Sequence, residues 1–404
     1  MIYFSIMVKP AVEGGKPVRK KFLLFGKPKI TKAEITEVLK TIKSGWLGTG
    51  PKTKLFEEEF KKYLGVPHAI ALNSCTAGLH LALDVLGIRE GDEVITSPLT
   101  FSSTANVIVH HHAIPVFADV DSKTWNIDPK QVELKVTKKT RAIIPVHLHG
   151  RPCDMDAIMR IARKHNLRLV EDAAHAAEAV YKNKKIGTIS DFTAFSFYVT
   201  KNIMTGEGGM LTTENDSWAE EARIRSLHGI SKDAWKRYSA EGFKPYETIY
   251  PGYKYNMMDL VASFGIHQLK QVNENFKKRV DFWNRYEKAF RNHPLLTTPT
   301  PEEKNTLHAR HLYAVLMQIE KLKITRDQFI DALRHEGIGS GIHFTPLHLH
   351  KYYRETFGYK PGNFPNSEFV GERIISLPLS PALTKADVND VITAVLKLLS
   401  YFKK

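Results

Sequence analysis

The sequence contains little cysteine and no long apolar segment, and each absence excludes a class of protein. Cys75 and Cys153 are the two cysteines among 404 residues, which is too few for a disulfide framework and lacks the spacing of a zinc site. No apolar run approaches the roughly 18 residues that suggest a membrane span. The opening segment 1–8 is apolar but short, without the basic stretch and cleavage site of a signal peptide. These absences predict a protein of the reducing cytoplasm with no membrane partner.

Acidic residues are in deficit. The chain has 58 Lys and Arg residues against 43 Asp and Glu residues, a formal net charge of +15. A basic protein attracts nucleic acid, membrane surfaces and phosphorylated metabolites. Part of the excess lies in a predicted N-terminal arm, residues 1–25, where Glu13 is the one acidic residue. No helix-turn-helix, finger or RNP motif accompanies this charge, so a solvated basic surface is favoured over nucleic-acid binding.

The length exceeds the range in which one hydrophobic core keeps growing, so two domains in close contact are expected. In residues 26–265, short apolar runs alternate with helical segments. This alternation predicts a large α/β domain with a mostly parallel, seven-stranded sheet between helices. The predicted strands are 69–72, 93–96, 114–117, 142–147, 167–172, 193–198 and 209–213.

Residues 266–404 predict a smaller α+β C-terminal domain. A strongly helical segment, 259–291, bridges to it from the large domain. Within the small domain, 312–317 and 338–343 are predicted strands, while 326–335 and 385–401 are predicted helices.

Two residues at predicted strand ends indicate the chemistry. Asp172 ends the strand 167–172, and Lys201 follows the strand 193–198 with three glycines close behind. A pyridoxal phosphate enzyme needs such a pair, since the lysine forms a Schiff base with the cofactor aldehyde and the carboxylate keeps the pyridine nitrogen protonated. Alone, Asp172 can equally cap the alanine-rich turn that follows it, and an isolated lysine is commonly a solvated surface residue.

Ligands of open α/β sheets bind beyond the carboxyl ends of the strands, where further candidates lie. The segment 73–78 opens a helix whose N–H groups can hold a phosphate, although an N-cap at Ser74 or Thr76 is the commoner explanation. Phe101 follows the strand 93–96 and can stack on a planar ring, or be an ordinary core residue. None of the 18 histidines has an acid or cysteine at ligand spacing, so no metal site is predicted.

Together these motifs resemble the sugar aminotransferases of the DegT/DnrJ/EryC1/StrS family, which are fold-type I, pyridoxal phosphate-dependent enzymes. The resemblance runs from about Gly26 onward. Its marks are Ser-Gly-Trp-Leu-Gly-Thr-Gly-Pro51, Asn-Ser-Cys-Thr-Ala-Gly78, Gly-Asp-Glu-Val-Ile-Thr-Ser-Pro98, Glu-Asp-Ala-Ala-His-Ala176, Ser-Phe-Tyr-Val-Thr-Lys-Asn202 with Gly-Glu-Gly-Gly209, and Pro-Gly-Tyr-Lys-Tyr-Asn256.

The resemblance implies roles for individual residues. Lys201 and Asp172 take the catalytic positions, with Lys201 holding the cofactor covalently and Asp172 partnering its pyridine nitrogen. The other cofactor-binding positions fall on Thr76, Ala77 and Ser196 for the phosphate, Phe101 for the ring face, His175 for the 3′-oxygen, and Asn256 for the phosphate of the neighbouring subunit. The last of these implies a homodimer with shared active sites.

The resemblance is closest to enzymes that act on UDP-linked 4-keto sugars and take the amino group from L-glutamate. It assigns substrate contacts to Trp46, Thr49 and His343. One branch of the family replaces the lysine with histidine and removes a hydroxyl, and Lys201 argues against that branch. Two alternatives stay open: another fold-type I activity, such as a sugar dehydratase or a different transaminase, and a cofactor-binding regulatory protein whose basic arm contacts nucleic acid.

Overall fold

A computed structural model describes residues 8–230 and 247–404. The first seven residues of the predicted arm, and with them most of the apolar opening segment, lie outside the described residues. The helices are α1 (Lys32–Ser44), α2 (Pro51–Leu64), α3 (Cys75–Val85), α4 (Ser102–His110), α5 (Pro129–Lys135), α6 (Met155–His165), α7 (Asp216–Ser226), α8 (Asp259–Lys270), α9 (Val272–Phe290), α10 (Arg326–His335), α11 (Lys351–Phe357), α12 (Pro365–Arg373) and α13 (Lys385–Phe402). The strands are β1 (His68–Leu72), β2 (Glu93–Thr96), β3 (Ile114–Phe117), β4 (Thr140–Ile144), β5 (Arg168–Asp172), β6 (Val180–Tyr181), β7 (Lys184–Lys185), β8 (Phe192–Ser196), β9 (Gly209–Thr213), β10 (Leu296–Thr297), β11 (Tyr313–Met317) and β12 (Ile374–Leu377).

The central sheet has seven strands in the order β1-β9-β8-β5-β4-β2-β3, which confirms the predicted large sheet. The strands β3, β2, β4, β5 and β8 are parallel to one another, whereas β9 runs antiparallel to both β8 and β1. Helices α2, α6 and α8 pack on one face of this sheet and α3, α4 and α7 on the other. The fold is therefore the predicted α/β sandwich, and β5 and β8 are neighbours at its centre.

The C-terminal part is built around a second, antiparallel sheet in the order β10-β11-β12. Its apolar core collects side chains from α9, α10 and α13. The predicted strand 338–343 is wrong. Its residues make single bridges to two different partners, Ile338 with Leu23 and Gly341 with Ser376, so no continuous ladder forms.

The predicted domain limit between residues 265 and 266 falls inside α8. The buried residues of α8 and Val272 belong to the core of the large sheet, whereas the second core begins at Phe282 on α9. A break at Gln271 separates the two helices of the predicted helical segment 259–291. Packing thus places the change of core along α9.

The described part of the basic arm packs on the second core. Glu336 is fully buried and accepts hydrogen bonds from the backbone N–H groups of Ala11 (2.8 Å) and Val18 (2.9 Å). Arg19 forms ion pairs with Asp387 (2.8 Å) and Asp390 (2.6 Å) on α13. Part of the arm's positive charge is therefore neutralised within the chain. Over the described ranges, no helix combines the length and apolar character needed to cross a membrane.

Candidate active site

Asp172 and Lys201 are brought to one edge of the sheet by neighbouring parallel strands. Asp172 is the last residue of β5 and pairs in register with Ala194 of β8. Lys201 lies in the turn that follows β8, where its N–H donates to the carbonyl of Tyr198 (2.8 Å). The two charged groups interact electrostatically. The structure therefore brings together the two residues on which the sequence argument rests.

Asp172 is a buried carboxylate with one hydrogen bond to each oxygen, which leaves acceptor capacity for a further donor. One oxygen accepts from the Thr104 hydroxyl (2.7 Å) and the other from the Ala174 N–H (3.1 Å). Burial raises the pKa of Asp172, while these two hydrogen bonds and the positive charge of Lys201 act in the opposite direction. The side chain does bond the following turn, as the capping alternative predicted. The bond to the Ala174 N–H uses one oxygen of the Asp172 carboxyl group, and the same carboxyl group also interacts with the charge of Lys201.

The protonation state of the Lys201 side-chain amine decides whether it can react with an aldehyde. Burial lowers its pKa from 10.5 to about 8, and the nearby Cys75 and Asp172 side chains oppose the shift. Removing water from an ammonium group disfavours its charged form, which explains the direction. A neutral amine is the nucleophile that attacks an aldehyde, so this environment prepares Lys201 for that reaction near neutral pH.

Glu171 precedes Asp172 and points to the other face of the sheet, where it forms a separate buried network. Its oxygens accept from the Thr193 hydroxyl (2.9 Å) and from His147 Nε2 (2.7 Å). The Cys153 N–H donates to His147 Nδ1 (3.0 Å), which places the proton of neutral His147 on Nε2. Because successive side chains of β5 point to opposite faces of the sheet, the structural carboxylate of Glu171 is separated from the candidate catalytic carboxylate of Asp172.

The N-terminus of α3 lies beside the turn that carries Lys201. Ser74 caps it by accepting from the Ala77 N–H (3.0 Å), as the N-cap alternative predicted. That bond occupies the Ala77 donor and leaves the N–H groups of Cys75 and Thr76 as further donors of the first turn. A Cβ on Gly209 would lie 2.4–2.6 Å from the backbone of residues 74 and 75, so this close approach requires glycine.

Two more predicted contacts lie at the same edge. Ser196 ends β8, and its hydroxyl accepts from the Tyr198 N–H (3.3 Å). Phe101 is the residue before α4 and is 61% exposed, so it is not a core residue. Its ring centroid lies 6.0 Å from that of Phe344. An exposed aromatic ring at a strand edge is available to stack on a planar ligand.

The ring of His175 packs with those of His311, His343 and Phe344. The sequence did not predict that these rings lie together. The centroid of His175 lies 4.5 Å from His311 and 6.0 Å from the stacked ring of Phe344. His343, a predicted substrate contact, stacks at 5.5 Å on Phe25 and bonds the Ser376 hydroxyl (2.9 Å). Burial lowers the pKa of His175 well below its usual range and that of His343 to about 3. These rings are therefore neutral at physiological pH.

The remaining predicted residues form a second cluster at the edge strand β1. Asn256 bridges to Leu72 at the end of β1, and its Nδ2 donates to the Thr49 hydroxyl (2.6 Å). Trp46 Nε1 donates to the Thr49 carbonyl (3.1 Å). The Oδ1 atom of Asn256 is buried without a hydrogen-bond partner in the described chain. Most buried polar side-chain atoms have a hydrogen-bond partner, so this amide oxygen calls for an explanation.

The residues at this site fit pyridoxal phosphate. They supply a buried amine of lowered pKa, a carboxylate on the adjacent strand, an exposed aromatic ring and a helix N-terminus with small neighbours. Each matches one part of the cofactor: aldehyde, pyridine nitrogen, ring face and phosphate. Within residues 8–230 and 247–404, no three His, Cys, Asp or Glu side chains are arranged to hold a metal ion.

Sequence comparisons identify relatives over nearly the whole chain. The model of the DegT/DnrJ/EryC1/StrS aminotransferase family matches residues 28–396. The chain is 55% identical over 383 residues to the uncharacterized protein MJ1066 of Methanocaldococcus jannaschii, covering 95% of this chain and 99% of that protein. It is 52% identical over 378 residues to the spore coat polysaccharide biosynthesis protein SpsC of Bacillus subtilis, covering 93% and 97%.

Solved structures share the fold. The PLP form of Spr1654 from Streptococcus pneumoniae, named as a sugar aminotransferase, superposes with a TM-score of 0.87 at 33% identity, covering 95% of this chain and all of that one (100%). The same protein in its PMP form superposes with a TM-score of 0.86. DesI, solved in the presence of its TDP-sugar product, superposes with a TM-score of 0.84 at 30% identity, covering 96% of this chain and 95% of that one.

Proposed function

Because the chain belongs to the DegT/DnrJ/EryC1/StrS aminotransferase family and is a pyridoxal phosphate-dependent sugar aminotransferase, we propose that it moves an amino group from L-glutamate to C4 of a UDP-linked 4-keto sugar. The observation that carries this proposal is the placement of Asp172 at the end of β5 and of Lys201 in the turn after the neighbouring strand β8, where their charges interact. The similarity to a polysaccharide biosynthesis protein and to an enzyme solved with a TDP-sugar supports a nucleotide-sugar substrate. A cytoplasmic location belongs to the same proposal, since nucleotide sugars are made there.

Bound pyridoxal phosphate supplies the electron sink that stabilises negative charge on the carbon losing its proton. Around it, Asp172 holds the proton of the pyridine nitrogen, and Phe101 covers the ring face. Thr76 and Ser196 hold the phosphate, and His175 donates to the 3′-oxygen. The Ala77 N–H, also expected to hold the phosphate, is instead bonded to the Ser74 hydroxyl (3.0 Å). Trp46, Thr49 and His343 contact the sugar substrate.

Lys201 moves the protons. Its neutral Nζ removes the proton from Cα of glutamate in the first half-reaction, and its protonated form delivers a proton to C4 of the sugar in the second. A group with a pKa of about 8 is matched to taking and giving a proton near neutral pH. The neutral rings of His175 and His343 add no further cation beside it.

The reaction separates into two measurable halves. Incubation of the holoenzyme with L-glutamate alone should release 2-oxoglutarate in an amount equal to the enzyme sites. After glutamate is removed, a panel of UDP- and TDP-linked 3-keto and 4-keto sugars is added, and products are identified by mass spectrometry. A UDP-linked 4-amino sugar is the expected product. A dehydrated sugar, or no 2-oxoglutarate, would exclude the proposed transfer.

We also infer a homodimer with shared active sites. The side chains of Ile35, Leu39 and Ile42 form an apolar stripe along α1 that is about half exposed in the single chain. Exposed apolar patches of this kind mark protein interfaces. The stripe leads into the 46–49 loop, which bonds Asn256. Burying it against a second copy would bring Asn256 Nδ2, an N–H donor, toward the partner's phosphate site.

Leu39→Glu should dissociate the dimer, because a charge in a buried apolar interface is costly. Leu134→Glu, at a leucine on α5 that is more exposed (75% against 52% for Leu39), is the control and should leave the mass measured by light scattering unchanged. Sharing is tested by mixing Lys201→Ala with Asn256→Ala subunits. Shared sites restore one intact site per hybrid dimer. Activity no greater than the sum of the two parents would contradict sharing.

A further inference from the structure

A chain of buried polar side chains connects α9 to the residue beside Lys201. Its members are Arg279, Glu178, Asn202 and His311, and we call it the Arg279–His311 chain. Arg279 on α9 is 1% exposed and forms an ion pair with Glu178. Asn202, which follows Lys201 directly, bonds Glu178 on one side (2.7 Å) and His311 on the other (3.0 Å). The chain thus crosses from a helix of the second core to the catalytic turn.

The hydrogen bonds of this chain have a fixed direction. Asn202 Nδ2 donates to Glu178 Oε2 and to the Ala309 carbonyl (3.1 Å), which uses both amide hydrogens. Its Oδ1 is therefore the acceptor toward His311, and His311 must carry its proton on Nδ1. Burial lowers the pKa of His311 well below its usual range, so the ring is neutral and its Nε2 is bare.

The ring of His175 is held by one hydrogen bond and by two neighbouring rings. The His149 N–H donates to His175 Nδ1 (3.2 Å), which leaves the proton of neutral His175 on Nε2. The ring centroid of His311 lies 4.5 Å from that of His175 with an interplanar angle of 35°, and the ring of Phe344 stacks at 6.0 Å. The orientation of His175 thus depends on the placement of His311.

We propose that Asn202 and His311 are positioning residues, which fix the turn that carries Lys201 and hold His175 in the orientation that directs its Nε2–H toward the cofactor. This inference rests on the proposed cofactor contacts of Lys201 and His175. Arg279 and Glu178 anchor the chain, since a buried ion pair tolerates little movement without leaving a charge unpaired. Neither Asn202 nor His311 need touch the substrate to act in this way.

The central test compares two substitutions of His311. His311→Asn keeps an N–H donor near the position of Nδ1, whereas His311→Leu keeps bulk and loses the bond to Asn202. Misplacement of reacting groups costs roughly ten- to a hundredfold in rate. We therefore expect kcat to fall by that factor in His311→Leu with KM for glutamate nearly unchanged, and His311→Asn to recover most of the loss.

A second readout needs no substrate. The visible circular dichroism of bound pyridoxal phosphate reports how the asymmetric site orients it. We expect His311→Leu to reduce this signal by at least about half at full cofactor occupancy, because the cofactor would no longer be held in one orientation. Because neither glutamate nor a sugar is present, an incorrect substrate assignment would leave this measurement valid.

The matched control is His308→Leu. His308 lies three residues earlier on the same segment, is equally buried, and is not a member of the Arg279–His311 chain. It accepts from the N–H of Arg310 (2.9 Å), whose carbonyl accepts from Arg279 Nε (3.1 Å). His308→Leu should lower the melting temperature without changing the dichroism or kcat. If His311→Leu behaves like His308→Leu, the positioning role is wrong. Should His311→Leu fail to fold, Asn202→Ser, which is too short to reach Glu178 and His311 together, takes its place with the same two outcomes.

Discussion

Lys201→Ala should abolish turnover while the cofactor stays bound without a covalent link. Positioned acid–base groups contribute about 10²–10⁴-fold, and the covalent attachment is lost as well, so a decrease of at least that size is expected. The phosphate, ring and pyridine contacts rest on other residues and should still hold the cofactor. Gel filtration followed by absorbance measures the bound cofactor, and single-turnover release of 2-oxoglutarate measures the chemistry.

Lys185→Ala is the matched control for this substitution. Lys185 is a partly buried lysine of β7 whose pKa is also lowered by burial, and it contacts the Tyr63 carbonyl instead of the site. It should keep full turnover and covalently bound cofactor. Transamination by Lys201→Ala at a substantial fraction of the wild-type rate would exclude the assigned role.

The same amine gives a pH dependence with a definite sign. Only neutral Lys201 attacks an aldehyde, and its pKa is about 8 instead of 10.5. Capture of pyridoxal phosphate by the cofactor-free protein should therefore speed up as pH rises through about 8 and level off above it. The free energy of unfolding changes in the same direction. Between about pH 8 and pH 10.5 the Lys201 amine is protonated in the unfolded chain and neutral in the folded protein, so the contribution of Lys201 to the free energy of unfolding rises with pH over that window.

The sheet was predictable because its strands carry a local signal. The seven predicted apolar runs correspond to β1, β2, β3, β4, β5, β8 and β9, with ends shifted by a few residues. What the runs do not encode is direction: β9 is antiparallel because a short connection, 197–208, returns it beside β8. The strand β12 was missed because it is four residues long and follows α12 without a turn signal.

The candidate site was predictable where it lies on motifs continuous in sequence. Asp172 and Lys201 stand at strand ends, and the parallel sheet brings such ends together. His311 and Arg279 lie about a hundred residues from their partners Asn202 and Glu178. No local pattern marks a hydrogen bond over that separation, so these residues emerge from tertiary packing. Phe101 lies next to a predicted strand, but its role could not be predicted. The sequence allows it to be either a core residue or a cofactor contact, and only its exposure in the structure distinguishes the two.

Asp172→Asn should nearly eliminate catalysis with little loss of fold. The amide keeps the shape of the carboxyl and can still accept from Thr104 or Ala174, but it carries no charge to hold a proton on the pyridine nitrogen. Without that proton the ring withdraws electrons weakly, and the negative charge that develops on carbon is poorly stabilised. Removing one such preorganised electrostatic contact costs about 10²–10³-fold in kcat.

Two comparisons separate this loss from misfolding. Glu171→Gln is the same change one residue earlier on β5, at a carboxylate bonded to His147 and Thr193 on the other face of the sheet. It should lower the melting temperature and leave the half-reaction with glutamate intact. Reconstitution of Asp172→Asn with N-methylated pyridoxal phosphate, whose ring nitrogen is positive without a proton, should restore part of the lost rate. If it restores none while the variant binds the analogue, Asp172 acts by another means than charge at the ring nitrogen.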